Sequence, residues 1–333
     1  MRALVTGGGG FLGGAIVRQL RARGDEVRSF SRATYPALDT LGVEQHQGDL
    51  SAAQAVFEAV KGCDLVYHVA AKAGIWGPYR EYYHTNVVGT QNVIQACLGE
   101  GVAKLVYTSS PSVVFDGRDM EGVDETAPYP RHYETHYPRT KMLAEKQVLE
   151  ASSPELATVS LRPHLIWGPG DNHLVPRIVE RGRAGRLRRI GHEPKLIDSV
   201  YVDDAARAHV LAADRLSPGS PLAGRPYFIS QGHPIPIWDL VNKILAAADV
   251  PPVERHVHPR VAYAAGWILE SVYKTLGLRS EPPMTRFLAR ELSTAHWFDI
   301  SAARRDFGYK PSLTIDEGID KLRTALEAGS LKI

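Results

Sequence analysis

Four consecutive glycines lie near the start of the chain, in Thr6-Gly7-Gly8-Gly9-Gly10-Phe11-Leu12-Gly13. Ahead of them, Arg2-Ala3-Leu4-Val5 is short and mostly apolar, the mark of a buried strand. Behind them, Gly14 to Leu20 carries apolar residues at helical spacing. Strand, glycine turn and helix aim backbone N–H groups and a helix N-terminus at one point, the geometry that receives a pyrophosphate. Glycine is needed there because a side chain in the tight turn blocks the approach of the phosphates. Two registers fit, Gly7-Gly10-Gly13 and Gly8-Gly10-Gly13; the first is preferred because Thr6 already closes the strand.

The rest of the first half alternates strand-like and helix-like segments. Strands are expected at Val27 to Phe30, in a segment closing at Asp49-Leu50, at Leu65 to Ala71, at Ala103 to Ser109 and at Thr158 to Leu161. Helices are expected over Ser51 to Val60, His84 to Leu98 and Tyr137 to Glu150. This alternation predicts an α/β fold, a Rossmann-type doubly wound parallel sheet. After Arg162-Pro163 the texture becomes irregular, with Gly, Pro and Arg accumulating from Gly168 to Pro194. A chain of 333 residues suits two lobes. The expectation is a dinucleotide-binding domain over 1–165, a smaller substrate-binding lobe over 166–333, and segments near 196–230 returning to the first domain.

Composition removes several classes of partner. A formal charge of +2 implies no pull toward nucleic acid. Cys63 and Cys97 stand far apart in apolar surroundings and read as reduced core residues. His132 and His136 are four apart, but no HExxH, CxxC or third ligand accompanies them, so no metal is expected. No apolar leader precedes the first strand, and Val261 to Leu269 is too short to span a bilayer. A cytoplasmic protein is expected, its membrane association peripheral at most. Val261 to Leu276 has apolar residues at 261, 264, 265, 268, 269, 272 and 276, a helix with one greasy face. It reads as a core-facing helix; a wall over a hydrophobic tunnel or a contact with lipid are the alternatives.

Chemistry enters at Tyr137-Pro138-Arg139-Thr140-Lys141. Tyr137 is the chain's only tyrosine with a lysine four residues later, a spacing that puts both side chains on one helix face. An ammonium beside a phenol favours the phenolate and lowers its pKa. Ser109 and Ser110 close the fifth strand, at the sheet end where open α/β folds bind ligands.

The set Thr6-Gly7…Gly10…Gly13, Asn86…Gly89-Thr90, Ser110 and Tyr137…Lys141 resembles an extended short-chain dehydrogenase/reductase along essentially the whole chain. Tyr107-Thr108-Ser109-Ser110, Leu161-Arg162-Pro163-His164, Trp167 to Asp171, Tyr201 to Asp204 and Phe307 to Pro311 resemble its 3β-hydroxysteroid dehydrogenase/isomerase family. Ala70 to Gly77 and Pro176 to Arg188 look like bacterial 2-alkyl-3-oxoalkanoate reductases. The resemblance implies that Tyr137 is the proton donor, Ser110 orients the substrate oxygen, and Lys141 holds the ribose and depresses the Tyr137 pKa. Asn86 would support the site. It implies that Gly7, Gly10, Phe11, Leu12, Arg32, Asp49, Leu50, Ala70, Tyr137, Lys141 and Pro163 line a nicotinamide dinucleotide.

The second strand ends in Phe30-Ser31-Arg32, without the acid that bonds the ribose 2′-OH in NAD sites. Arg32 suits a 2′-phosphate, so NADP(H) is favoured, with NAD(H) as the alternative. The resemblance further implies an oxidoreductase interconverting a ketone and a secondary alcohol on a bulky hydrophobic substrate. That substrate is a β-keto/β-hydroxy acid or a 3-oxo/3β-hydroxy steroid. It also implies a homodimer through the helices at 84–98 and 137–150. The competing reading is a nucleotide-sugar epimerase or dehydratase on the same scaffold, with the arginines of 177–189 gripping a diphosphate.

Overall fold

Seven parallel strands form the central sheet of the computed structural model, which describes residues 1–329. The end of the expected C-terminal lobe, 330–333, lies outside the described residues. In chain order the strands are β1 (Arg2–Thr6), β2 (Glu26–Ser31), β3 (Glu44–Gln47), β4 (Leu65–His68), β5 (Lys104–Thr108), β6 (Ala157–Pro163) and β7 (Arg225–Ile229). In space they run β7-β6-β5-β4-β1-β2-β3. The interior strands are buried on both faces, and all seven residues of β6 are buried, as a parallel sheet covered by helices requires. Strand order reverses between β1 and β4. The carboxyl ends of those two strands therefore part and open a crevice.

Two apolar clusters, one on each side of the sheet, hold the helices. On one side α1 (Phe11–Ala22) packs on the helix Val202–Arg215; on the other lie Ala53–Val60, Gly89–Gly99 and His136–Glu150. Strand β7 comes from the chain after residue 165 and pairs in parallel with β6. In the opposite direction, Met120–Val123 leaves the first half and pairs with His296–Phe298 in a second, four-stranded sheet. The two halves of the sequence thus interleave in space.

Local departures from the sequence reading have physical causes. The third strand stops at Gln47, and Gly48 to Leu50 form the turn after it. The helix expected over His84 to Leu98 is three pieces: an α-turn at Tyr79–Tyr82, a π-helical stretch at Tyr83–Val88 and the α-helix Gly89–Gly99. Gly89 explains the close approach at the last junction, since a Cβ there would sit 2.7 Å from the Leu50 Cβ.

The largest correction concerns the greasy helix, which runs over Pro259–Thr275. Its apolar stripe faces outward; its buried positions are Ala262, Gly266 and Glu270. A Cβ on Gly266 would lie 2.6 Å from the Thr285 backbone, so small residues let the next helix, Arg286–Glu291, come close. Glu270 then anchors that helix, accepting from the Arg286 backbone N–H at 2.7 Å and its Nε at 2.9 Å. Close backbone approach and an ion pair, rather than bulky apolar packing, hold this helix in place. Among the described residues no helix is long and apolar enough to cross a membrane.

Candidate active site

A cleft of about 500 Å³ opens at the carboxyl end of the sheet, over the β1/β4 parting. Its floor is the glycine turn. Gly7 has φ 71°, the left-handed region that glycine adopts freely. A Cβ on Gly13 would lie 2.1 Å from the Gly7 carbonyl oxygen, so the helix can start this close only with glycine there. Gly10 is the N-cap of α1 and supplies no side-chain hydrogen bond to it, leaving the first N–H groups of the helix directed at the cleft. Gly7, Gly10 and Gly13 all line the cleft, while a Cβ on Gly8 would meet the Ser29 hydroxyl beneath the turn. These unpaired N–H groups and the helix dipole fit a pyrophosphate.

A buried network sets the second wall. The Thr6 hydroxyl oxygen accepts from the N–H groups of Val69 and Ala70, both at 3.0 Å. Its own proton goes to His68 Nδ1 at 2.9 Å, and His68 Nε2 donates to Thr90 Oγ1, also 2.9 Å. Thr90 Oγ1 in turn donates to the Asn86 carbonyl at 2.6 Å, which fixes this tautomer. Burial, helped by the Lys141 charge, pushes His68 down to about 3, so the ring is neutral and structural. The Asn86 side chain accepts from the Lys72 N–H at 2.7 Å. It donates to the Lys72 carbonyl and to Thr140 Oγ1, both at 3.0 Å. It thereby ties the loop after β4 to the helix that carries Tyr137.

Ser110 and Tyr137 line this same cleft, as do Pro163 and Leu165. Leu165 has φ 41°, an uncommon conformation for a branched residue and one that clusters at ligand sites. Burial raises the Tyr137 phenol to about 12, with the Ser110 hydroxyl acting against that rise. Of the expected residues, Gly7, Gly10, Phe11, Leu12, Arg32, Asp49, Leu50, Ala70, Ser110, Tyr137 and Pro163 all line the cleft, as does Ser109.

Lys141 is the exception. It is fully buried beneath the cleft wall, where Nζ donates to the Thr108 carbonyl at 2.5 Å and stands 4.1 Å above the Tyr107 ring. Burial pushes its ammonium down to about 7, against the pull of Glu145 one helical turn on. The expected lowering of the Tyr137 pKa by Lys141 is thus not found; the protein sets the phenol high instead. Burial is the leading cause of that rise, and the Lys141 ammonium is engaged with the Thr108 carbonyl and the Tyr107 ring.

The structure adds groups that no motif signalled. Glu291, on Arg286–Glu291, is raised to about 7 by burial and makes the Tyr137 phenol harder to ionise. Glu145 is buried under the site with Arg162, Nη2 to Oε1 2.6 Å, and also accepts from Tyr129 and Ser160. Asp171 lines the cleft and accepts from the N–H groups of His173, Leu174 and Val175, shaping the turn into the helix Leu174–Arg183. The Arg32 guanidinium is exposed at the cleft edge, with no ion-pair partner among the described residues. Cys63 and Cys97 are free and buried. No group of three His, Cys, Asp or Glu among the described residues could hold a metal ion.

Comparison with known proteins agrees with this geometry. A model of the 3-beta hydroxysteroid dehydrogenase/isomerase family matches residues 4–260. Over 330 residues the chain is 49% identical to a 2-alkyl-3-oxoalkanoate reductase of Stenotrophomonas maltophilia, covering 98% of this chain and 100% of that one. It is 33% identical to the mouse decarboxylating sterol-4-alpha-carboxylate 3-dehydrogenase over 325 residues, 96% of this chain and 89% of that one. Among solved structures, the UDP-glucuronic acid 4-epimerase of Bacillus cereus in complex with NAD superposes with a TM-score of 0.76. It is 19% identical and covers 99% of this chain and 100% of that one, a likeness of fold.

Proposed function

The chain belongs to the 3-beta hydroxysteroid dehydrogenase/isomerase family, and on that premise we propose that it is an NADPH-using reductase of a β-keto acid carried on a bulky hydrophobic skeleton. It is an oxidoreductase of the CH–OH/C=O couple, as its named relatives are. The reductase and the sterol dehydrogenase share a theme in their names, an oxygen function placed β to a carboxylate. We assign the substrate to the 2-alkyl-3-oxoalkanoate class because of the reductase match along the whole chain.

The observation that carries the reading is that Ser110 and Tyr137 line the same cleft as a glycine turn and a free helix N-terminus. A reduced nicotinamide bound in that cleft supplies the hydride. The chain's own residues do the rest. Gly7, Gly10 and the first turn of α1 bind the pyrophosphate through backbone N–H groups. Asp49 and Leu50 flank the adenosine end, and Arg32 pairs with a 2′-phosphate. Ala70 and Pro163 close the walls. The Ser110 hydroxyl orients the substrate oxygen. The Tyr137 phenol, protonated at neutral pH and taken further from ionisation by burial, donates its proton as the ketone becomes an alcohol. Lys141 positions this helix against β5 through the Thr108 carbonyl. On this reading residues 1–165, with 196–230, serve the dinucleotide, and most of 166–333 serves the substrate. The protein works in the cytoplasm as a homodimer through the helices Gly89–Gly99 and His136–Glu150; Leu98 on the first of these and Tyr83 just before it stand exposed.

The test is loss of NADPH absorbance with a 2-alkyl-3-oxo fatty acid and a 3-oxosteroid offered separately, beside chromatography of UDP-glucose incubated with the protein and NAD. Oxidation with the first is expected. Silence with the first two and turnover of the nucleotide sugar rejects the reading in favour of an epimerase or dehydratase. Arg32→Ala is expected to weaken NADPH about tenfold or more while leaving NADH binding near its starting value; equal losses reject the 2′-phosphate contact.

A further inference from the structure

Two side chains with a permanent positive charge line the cleft, Arg32 and Lys72, and they stand on opposite sides of the β1/β4 parting. Arg32 follows β2, on the side of Asp49. Lys72 follows β4, next to β5, beyond whose end lies Ser110. The dinucleotide contacts proposed for this cleft use Arg32 on a 2′-phosphate and backbone N–H groups on the pyrophosphate. They leave the Lys72 ammonium without a task.

The backbone of Lys72 is locked to the helix of the proton donor. Asn86 Oδ1 accepts from its N–H at 2.7 Å, and Asn86 Nδ2 donates to its carbonyl and to Thr140 Oγ1, both at 3.0 Å. Thr140 Oγ1 in turn lies 2.9 Å from the His136 carbonyl and 3.1 Å from the Tyr137 carbonyl. The Lys72 side chain puts Nζ 5.2 Å above the Tyr82 ring. That ring also faces His136, 6.1 Å between centroids, and His136 precedes Tyr137. The ammonium is thus held on the Tyr137 side of the cleft. Its partner in this structure is Glu81, 2.9 Å away and more than half exposed. An ion pair this open to water is worth little, and a lysine stem is flexible, so the ammonium can leave Glu81 for a better-placed anion.

We infer that Lys72 reads the carboxylate of the substrate, pairing with it while the ketone oxygen meets Ser110 and Tyr137. The inference rests on the β-keto acid reading of the cleft. In such an acid one carbon stands between the ketone carbon and the carboxylate carbon, so the two polar groups travel together. Held at both, the substrate presents its ketone in one orientation and leaves its alkyl chains to the substrate lobe. A ketone without the carboxylate gains nothing from Lys72, which makes this ammonium a means of choosing between substrates.

The experiment compares a 2-alkyl-3-oxo fatty acid with its methyl ester in steady-state kinetics with NADPH. The wild type is expected to favour the acid in kcat/KM about tenfold or more, the value of a hydrogen-bonded charge, and to do so through KM. Lys72→Met keeps the stem and drops the charge. It is expected to bring acid and ester level, with NADPH affinity and the thermal midpoint near wild type. Lys72→Arg, which keeps the charge, is expected to retain part of the preference. Glu81→Gln, which frees the ammonium, is expected to lower KM for the acid and not for the ester. An acid preference that survives Lys72→Met overturns the inference. So does a loss of NADPH affinity in Lys72→Met as large as the loss of acid, because the ammonium would then serve the dinucleotide. Equal reduction of acid and ester by the wild type also overturns it, yet upholds the β-keto reading itself. Reduction of neither overturns that reading and the inference with it.

Discussion

A phenol is already protonated at neutral pH, and burial takes the Tyr137 hydroxyl further from ionisation, which suits the proton donor proposed above. Tyr137→Phe removes only the hydroxyl, so kcat is expected to fall by about a thousandfold or more while NADPH still binds. Steady-state kinetics beside a binding titration separate the two. Lys141 has a different signature. Its ammonium titrates near 7 in the folded protein and near 10 when unfolded. Between those values the unfolded chain holds more protons than the folded one. Stability therefore falls as pH drops from about 10 toward 7 and levels off below the folded value. Lys141→Met removes this dependence. Its thermal midpoint relative to wild type is expected to climb as pH is lowered from 10 to 7, in melts without ligand. A constant difference across that range rejects the burial argument. The spacing of tyrosine and lysine is plain in the sequence, but the direction of both pKa shifts is not. Spacing says that two groups share a helix face; only packing says how much water each keeps.

The elements around the site are held by a few side chains that reach across the chain. Asn86 is the clearest case, since one amide satisfies both backbone groups of Lys72 and touches Thr140 on the helix of Tyr137. Asn86→Leu leaves that N–H and carbonyl without partners and is expected to cost about 1–3 kcal/mol, read from denaturant midpoints. The same change should weaken dinucleotide affinity, because the loop from Val69 to Ala73 lines the cleft. Asn86 sits within the π-helical stretch Tyr83–Val88, and such bulges recur at functional sites. Apolar periodicity shows that a helix is there. It does not show the change of pitch at Tyr83–Val88, nor the close approach of Gly89 to Leu50 beside it. The helix Pro259–Thr275 makes the same point more strongly. Its periodicity is visible in the sequence, yet which side it buries was decided by Gly266 and Glu270, two residues that read as interruptions of a pattern.

Across the molecule, the two sheets are joined where β6 ends. Asp198, fully buried, accepts from His164 Nδ1 at 2.5 Å and from the Phe298 N–H of the small sheet at 3.0 Å. Asp198→Ala strands the His164 imidazole and the Phe298 backbone N–H and is expected to cost about 3 kcal/mol, with substrate affinity falling more than dinucleotide affinity. Equal losses of both would place this contact outside the substrate lobe. The sequence by itself determined the strand–glycine–helix turn, the parallel alternation, and the spacing that singles out Ser110, Tyr137 and Lys141, because each is a local pattern of size, spacing or backbone freedom. The order of strands that opens the cleft, the crossing of Met120–Val123 into the second sheet, and the outward turn of the apolar helix belong to the tertiary structure alone. They rest on contacts between residues outside any local window, such as Glu270 with Arg286, Ala3 with Leu65 and Met120 with His296, and no local spacing encodes which distant surfaces will meet.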